Sequence, residues 1–144
     1  MNDRGLSVSA GPMARPVMIL ACSGCSYAGQ LANRAAVELS REGFGRMSCL
    51  AALGAHLENY IQSARLSPRI AAINGCDVAC TSCTLDHLGI SHSTKIVVTH
   101  AGIPKKGQGD PAVEDVARVK EFVISTMKEN ATDSTGRDVS GPQI

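Results

Sequence analysis

The sequence predicts a small three-layer α/β domain with a four-stranded parallel sheet in the strand order 2-1-3-4. Short apolar segments of strand length alternate with longer segments in which apolar residues recur at helical spacing. Because this alternation repeats four times, right-handed crossovers and a parallel sheet with helices on both faces are favoured, and 2-1-3-4 is a natural order for such a sheet. The chain has 144 residues, of which 44% are hydrophobic, so it can form one core without disulfide bonds.

The first strand, the first helix and the second strand are predicted within residues 17–50. Residues 17–21 form a continuous apolar run of strand length. Apolar residues then recur at helical spacing from Ala28 to Leu39, and Gly43 is placed to end this helix. Residues 46–50 are predicted to form a short second strand.

The middle of the chain contains the next two helices and the third strand. An apolar stripe over residues 53–64 predicts one helix, which is stopped by Pro68. Residues 69–73 form the third apolar run. A helix is then expected over residues 77–88, with Gly89 at its end.

The last strand and the last helix complete the pattern. Residues 95–99 form the fourth apolar run. Asp110 and Pro111 are a strong signal for a helix start, with Asp as the N-cap and Pro at the first helical position. Apolar residues continue the helical stripe as far as Met127.

One domain is expected over residues 16–129, between flexible tails at 1–15 and 130–144 that lack periodicity. The 14 Lys and Arg residues balance 13 Asp and Glu residues, and only 3% of residues are aromatic, which argues against a nucleic-acid partner. No apolar run approaches the ~20 residues of a membrane helix, and the run near the start is too short for a signal peptide. The sequence therefore predicts a cytoplasmic protein without a membrane partner, and it leaves the oligomeric state open.

The six cysteines are the most informative residues in the sequence. In a reducing cytosol they indicate metal ligands or redox thiols before structural disulfides. Five of them lie at or just past the carboxyl ends of predicted strands 1, 2 and 3, at the sheet edge where ligands bind in parallel α/β folds. Since strands 1 and 3 are expected to be neighbours, we expect these five to converge: Cys22, Cys25, Cys49, Cys76 and Cys80. The alternative for any one of them is a packing role, because free cysteine often fills apolar space.

The spacing of the thiols supports more than one chemistry. The pair Cys22 and Cys25 can bind one metal ion, or it can act as a redox dithiol near a helix N-terminus. The second pair, Cys76 and Cys80, completes a four-thiolate set that suits zinc or an iron–sulfur cluster. Ligand type does not separate these two, since both use four sulfurs in tetrahedral geometry.

Three further residues have open roles. Cys83 and His87 continue the spacing of the second cysteine pair along one stripe of a helix. They either extend the metal site, build a second one at a partner surface, or are surface residues without a role. His100 follows strand 4 and is either a ligand or acid/base group at the sheet edge, or a solvated loop residue. No pattern assigns a partner to His56.

Four segments together resemble the DGC-domain family, whose members are described as zinc-binding and are named for an Asp-Gly-Cys motif. The segments are CSGCSYAGQLANRAAVEL, MSCLAALGAHL, IAAINGCDVAC and IVVTHAGIPKK, and the resemblance covers about residues 17–106. It implies that the chelating residues are Cys22, Cys25, Cys76 and Cys80, and Cys49 lies in a segment that also matches. Asn74 replaces the Asp of the name motif, which keeps an acceptor but removes a charge that could orient a ligand.

The leading hypothesis is a cytosolic zinc-binding protein with a cysteine-rich site at the carboxyl edge of the sheet. Four thiolates would close a structural site, so the sequence does not decide whether the protein is an enzyme. The alternative is an iron–sulfur or dithiol oxidoreductase or electron carrier that uses Cys22 and Cys25 with a protein redox partner. A scaffold whose metal is only structural is the third hypothesis.

Overall fold

A computed structural model describes residues 16–133. The predicted tails lie outside this range, except that the last helix continues through residues 130–133. The strands are β1 (Val17–Ala21), β2 (Arg46–Met47), β3 (Arg69–Asn74) and β4 (Ser93–Val97). The helices are α1 (Tyr27–Arg41), α2 (Leu50–Gly54), α3 (Glu58–Leu66), α4 (Cys80–His87) and α5 (Val113–Asp133). Val98–Ala101 form a short 3-10 helix.

The four strands form one parallel sheet in the order β2-β1-β3-β4, which confirms the predicted fold class and strand order. In the central pair, Ala21 of β1 lies opposite Ile73 of β3. The next pair continues this register, with Ile73 opposite Ile96 of β4. The carboxyl ends of β1, β3 and β4 therefore lie side by side.

Helices cover both faces of the sheet, because alternate strand residues point to opposite sides. Helices α1 and α5 pack on one face around Ile19, Ile73 and Ile96. Helices α2, α3 and α4 pack on the other face around Leu20, Ile70 and Ala72. Within residues 16–133, no helix combines the length and the apolar character needed to cross a bilayer.

Both ends of α1 follow local sequence signals. The Ser26 hydroxyl accepts the Gly29 N–H at 3.1 Å and caps the start of the helix. At the end, Gly43 has a φ of 83°. The N–H groups of Gly43 and Phe44 donate to carbonyl oxygens of the last turn, as in a Schellman motif. The predicted helix end at Gly43 is confirmed.

The prediction of one helix over residues 53–64 is wrong, because the helical conformation is interrupted between α2 and α3. His56 has a φ of 59°, a left-handed conformation that an α-helix cannot contain. Its N–H donates to the Leu53 carbonyl oxygen and the Leu57 N–H donates to the Ala52 carbonyl oxygen. These bonds close a second Schellman motif, with His56 at the position usually taken by glycine.

The boundaries of β2, α4 and β4 also differ from the predictions. β2 is only two residues long, because the chain enters α2 soon after Ser48 donates its N–H to the Ile19 carbonyl oxygen. α4 begins at Cys80 instead of residue 77, since Ala79 has a left-handed φ of 55°. β4 begins and ends two residues earlier than predicted, and the 3-10 helix follows it directly.

The start of α5 is set by a tertiary contact. The predicted cap at Asp110 and Pro111 is wrong, because the helix begins at Val113. The Tyr27 hydroxyl accepts the Ala112 N–H at 3.1 Å and donates to the Asp115 carboxylate at 2.6 Å. The hydrogen bond to Asp115 raises the pKa of Tyr27 above its ordinary value.

An ion-pair cluster joins α1 and α5 on the surface of this layer. The Lys120 ammonium lies 3.1 Å from a carboxylate oxygen of Glu38 and also binds Glu42. The hydrogen bond from Lys120 holds the pKa of Glu38 below its ordinary value. The cluster therefore links two helices that are far apart in sequence.

Candidate functional site

Two cysteine-bearing segments meet at the carboxyl edge of the sheet. Cys22 directly follows β1, and its N–H donates to the Ile73 carbonyl oxygen at 2.9 Å. This bond extends the β1–β3 pairing by one residue. Cys76 follows β3 after Gly75, so the two cysteines leave the sheet from neighbouring strands. Both side chains are half-buried.

Hydrogen bonds fix the loop that carries Cys22 and Cys25. The Gly24 N–H donates to the Cys22 sulfur at 3.3 Å. The Gln30 side chain, one turn into α1, donates to the carbonyl oxygens of Ser23 and Gly24 at 3.4 and 2.8 Å. Cys25 is exposed at the end of this loop. The loop is thus tied to the first turn of α1, and an N–H group points at one of its sulfurs.

Glycines allow this loop to approach the segment after β3. A Cβ atom on Gly75 would lie only 2.7 Å from the Gly29 nitrogen, closer than such atoms approach in real structures. A Cβ atom on Gly29 would lie 3.0 Å from the backbone of Gly24. The first turn of α1 therefore contacts both the loop after β1 and the turn after β3, backbone to backbone.

The remaining cysteines lie at different places around this edge. Cys80 is the first residue of α4 and is exposed. Cys83 is exposed on the same helix, with its sulfur 3.6 Å from the Val78 carbonyl oxygen. Cys49 precedes α2 and lines an open groove of about 800 Å³ beside β2 and α3. Within residues 16–133, no other cysteine lines that groove, and the expected convergence of Cys49 with the two pairs stays a prediction.

All six cysteines are free thiols. Among residues 16–133, no three His, Cys, Asp or Glu side chains are gathered closely enough to hold a metal ion. The donor chemistry of the two cysteine pairs fits zinc, but their present positions do not form a ready-made ligand set. The four-thiolate site consequently stays a prediction, and it requires the exposed Cys25 and Cys80 to move toward their half-buried partners.

A His–Asp pair lies at the same edge. The His100 Nε2 atom is 2.7 Å from the Asp77 carboxylate, with His100 in the 3-10 helix after β4 and Asp77 directly after Cys76. Both side chains are more than half exposed, at 57% and 78%. The sequence placed His100 at this edge but did not identify Asp77. Its position one residue past Cys76, beside the end of β4, is the signal that could have found it.

Asn74 occupies the position of the Asp in the family's name motif and is fully buried. Its side-chain nitrogen donates to Ser82 Oγ at 2.9 Å and lies within hydrogen-bond distance of the Ala72 and Ile96 carbonyl oxygens. Its side-chain oxygen accepts the Ser82 N–H at 3.1 Å. The amide therefore fixes α4 against β3 and β4, and none of these four contacts is to a thiol.

The loop after β4 covers the start of α1. The Tyr27 N–H donates to the Gly107 carbonyl oxygen at 2.7 Å, which satisfies one of the free N–H groups of the first helical turn. The Lys106 ammonium lies 4.7 Å from the centroid of the Tyr27 ring. The thiol loop and the loop before α5 are thus attached to the same helix end.

The chain is similar to known proteins in sequence. A family model described as DGC domain matches residues 18–123, a range that includes all six cysteines. The protein named anaerobic and virulence modulator AnvM, from Pseudomonas aeruginosa, is 30% identical to this chain over 102 residues. That match covers 71% of this chain and 78% of AnvM. No solved structure matches the chain significantly.

Proposed function

Because this chain belongs to the DGC-domain family, we propose that it is a regulatory protein that binds zinc through Cys22, Cys25, Cys76 and Cys80. One observation carries the proposal. The two cysteine pairs follow neighbouring strands, and the segments that bear them both pack backbone to backbone against the first turn of α1. Four thiolates on two such segments are a donor set that zinc accepts, as an iron–sulfur cluster also does.

A regulatory role, rather than catalysis, is supported by two considerations. The name of the Pseudomonas relative describes a modulator. In addition, a zinc ion held by four thiolates has no open position for a substrate. Six free thiols suit a reducing compartment, so we place the protein in the cytoplasm.

Zinc binding would be coupled to local rearrangement. Cys22 and Cys76 are half-buried at the sheet edge, whereas Cys25 and Cys80 are exposed. The exposed pair would close over the buried pair when the ion binds. We therefore expect zinc to slow amide hydrogen exchange in residues 22–25 and 76–80, while the exchange of β1 and β3 stays unchanged.

The test is the zinc content of protein purified under reducing conditions and dialysed against metal-free buffer. Wild-type protein should retain about one zinc per chain, the stoichiometry of one four-thiolate site. Cys22→Ser and Cys80→Ser should each remove most of it. Cys83→Ser is the matched control on the same helix and should retain it. Equal loss from all three variants would refute the ligand set.

A second function is favoured by the Gly24 N–H that donates to the Cys22 sulfur. A backbone donor at the end of a loop before a helix stabilises negative charge on sulfur, as redox dithiols require. Cys22 and Cys25 would then form a disulfide and pass two electrons and two protons to an oxidised partner protein. Absence of zinc, with a disulfide that forms and is reduced reversibly in wild type but not in Cys25→Ser, would favour this function. A broad visible absorbance with bound iron and sulfide would instead indicate an iron–sulfur cluster.

A further inference from the structure

Two histidines from different elements meet on the outer side of α4. His56 lies at the corner between α2 and α3, and His87 is the last residue of α4. The centroids of their rings are 5.5 Å apart, and the ring planes are inclined at 82°. Both residues are exposed, while Leu85 of the same helix packs into the core. The pair therefore faces away from the sheet.

The separation of the rings matches the geometry of a shared metal ion. A zinc–nitrogen bond is about 2.0–2.1 Å long, and the ring centroid lies about 1.1 Å beyond the nitrogen, so a bound ion is about 3.2 Å from each centroid. At a tetrahedral angle, two such rings have centroids about 5.2 Å apart. The observed 5.5 Å lies close to that value, so the separation of the two rings is compatible with one shared ion.

Cys83 is placed to supply a third ligand. It precedes His87 by four residues on α4, so both side chains lie on the same face of the helix. Its sulfur now points to the Val78 carbonyl oxygen at 3.6 Å, a weak contact. Since Cys83 is exposed and lies one helical turn before His87, a change of its rotamer can bring the thiol toward His87. Two imidazoles and one thiolate are donors that zinc accepts.

The backbone at His56 gives an independent indication that its imidazole has a role. The residue has a φ of 59° at the C-terminal position of a Schellman motif, which glycine normally occupies. A side chain there is unfavourable, and residues held in such conformations cluster at functional sites. The strained conformation is the one that presents the imidazole to His87.

We propose that His56, Cys83 and His87, which are not gathered into a ligand set in this structure, form a second metal site when Cys83 turns toward the two rings. The site binds a zinc-like divalent ion with three protein ligands. The fourth position is open to water, as in zinc sites where the ion exchanges or acts on a ligand. The site uses none of the four cysteines of the edge site. It binds more weakly, because it has three protein ligands, and it is filled when zinc is added.

The test is a zinc titration of the full-length protein against a chromophoric chelator, after the tightly bound zinc has been counted. Wild type should bind one further zinc. His56→Asn, which keeps a residue that tolerates the left-handed conformation, should weaken this binding by about tenfold or more, as should His87→Gln and Cys83→Ser. His92→Gln is the matched control, since His92 is an exposed histidine whose ring contacts only the Ser67 carbonyl oxygen among the interactions of the described chain.

A second readout follows the histidine rings directly by NMR. Added zinc should shift the ring signals of His56 and His87 together and leave those of His92 in place. The proposal is overturned if His56→Asn and His87→Gln bind the added zinc as tightly as wild type. It is also overturned if Cys22→Ser abolishes the added zinc, because the ion then belongs to the edge thiols. Histidine-dependent binding in a protein without tight zinc would support this site and refute the zinc-binding function proposed for the edge.

Discussion

Asn74→Ala tests whether the buried amide after β3 fixes α4 to the sheet. The wild-type side chain has four contacts within hydrogen-bond distance, to Ala72, Ser82 and Ile96. Because the amide nitrogen carries only two hydrogens, at most three of these bonds form at full strength at one time. The residue has no solvent-accessible surface, so water does not replace the bonds without opening the structure.

The magnitude follows from these bonds. At about 1 kcal/mol for each net hydrogen bond, the substitution should lower the free energy of unfolding by about 3 kcal/mol. The substitution also leaves the buried Ser82 N–H without its partner, which adds to the loss of stability. With a typical urea slope of about 1–3 kcal/mol per M, the unfolding midpoint should fall by more than about 1 M.

The assay is urea unfolding followed by far-ultraviolet circular dichroism, because the chain has no Trp. Reductant and a chelator are needed, since bound metal would add its own stabilisation. Asn59→Ala, an exposed residue of α3, is the matched control and should stay within about 0.5 kcal/mol of wild type. A loss below about 1 kcal/mol for Asn74→Ala would refute the reasoning, because it would mean that these bonds contribute little to stability.

Three other substitutions test the packing of the thiol loops, the strained corner and the ion-pair cluster, each by the unfolding midpoint. Gly75→Ala should destabilise the protein by about 1–3 kcal/mol through backbone overlap, whereas Gly54→Ala, in open space within α2, should be neutral or stabilising; equal effects would contradict the close approach. His56→Gly should stabilise by about 1 kcal/mol by relieving its left-handed backbone, and a loss of stability would show that the conformation is not strained. Lys120→Met should lower the free energy of unfolding by about 1 kcal/mol near neutral pH. Because Lys120 holds the pKa of Glu38 low, this loss of stability should shrink as the pH falls below about 4.3. A loss that does not change with pH would show that the ion pair with the Glu38 carboxylate is not its source.

The sheet could be predicted from sequence because its signals are local. Short apolar runs marked β1, β3 and β4, and four repeats of strand and helix left few topologies for a parallel sheet. The same pattern predicted that Cys22 and Cys76 leave the sheet from neighbouring strands, and the pairing of β1 with β3 confirms this. Gly43 was recognised as a helix end because a left-handed residue there has a strong preference for glycine.

The errors arose where a tertiary contact or an unusual residue determined the backbone. The start of α5 depends on the Tyr27 hydroxyl and Asp115, residues that lie 88 positions apart, and no local pattern reveals that pairing. His56 interrupts the helical stripe in a left-handed conformation that glycine adopts far more readily than histidine. The mutual arrangement of the thiols was also beyond the sequence, because strand order fixes where a cysteine leaves the sheet but not where its sulfur points.

The backbone contact between Gly29 of α1 and Gly75 leaves no side chain between the helix and the turn after β3 that could absorb a displacement by changing rotamer. A displacement of the turn after β3 therefore also displaces the first turn of α1. That turn is bonded through the Tyr27 N–H to Gly107, in the exposed loop that precedes α5. We expect the outer surface of this loop to move when the thiols bind a metal ion and to keep its position when they are free.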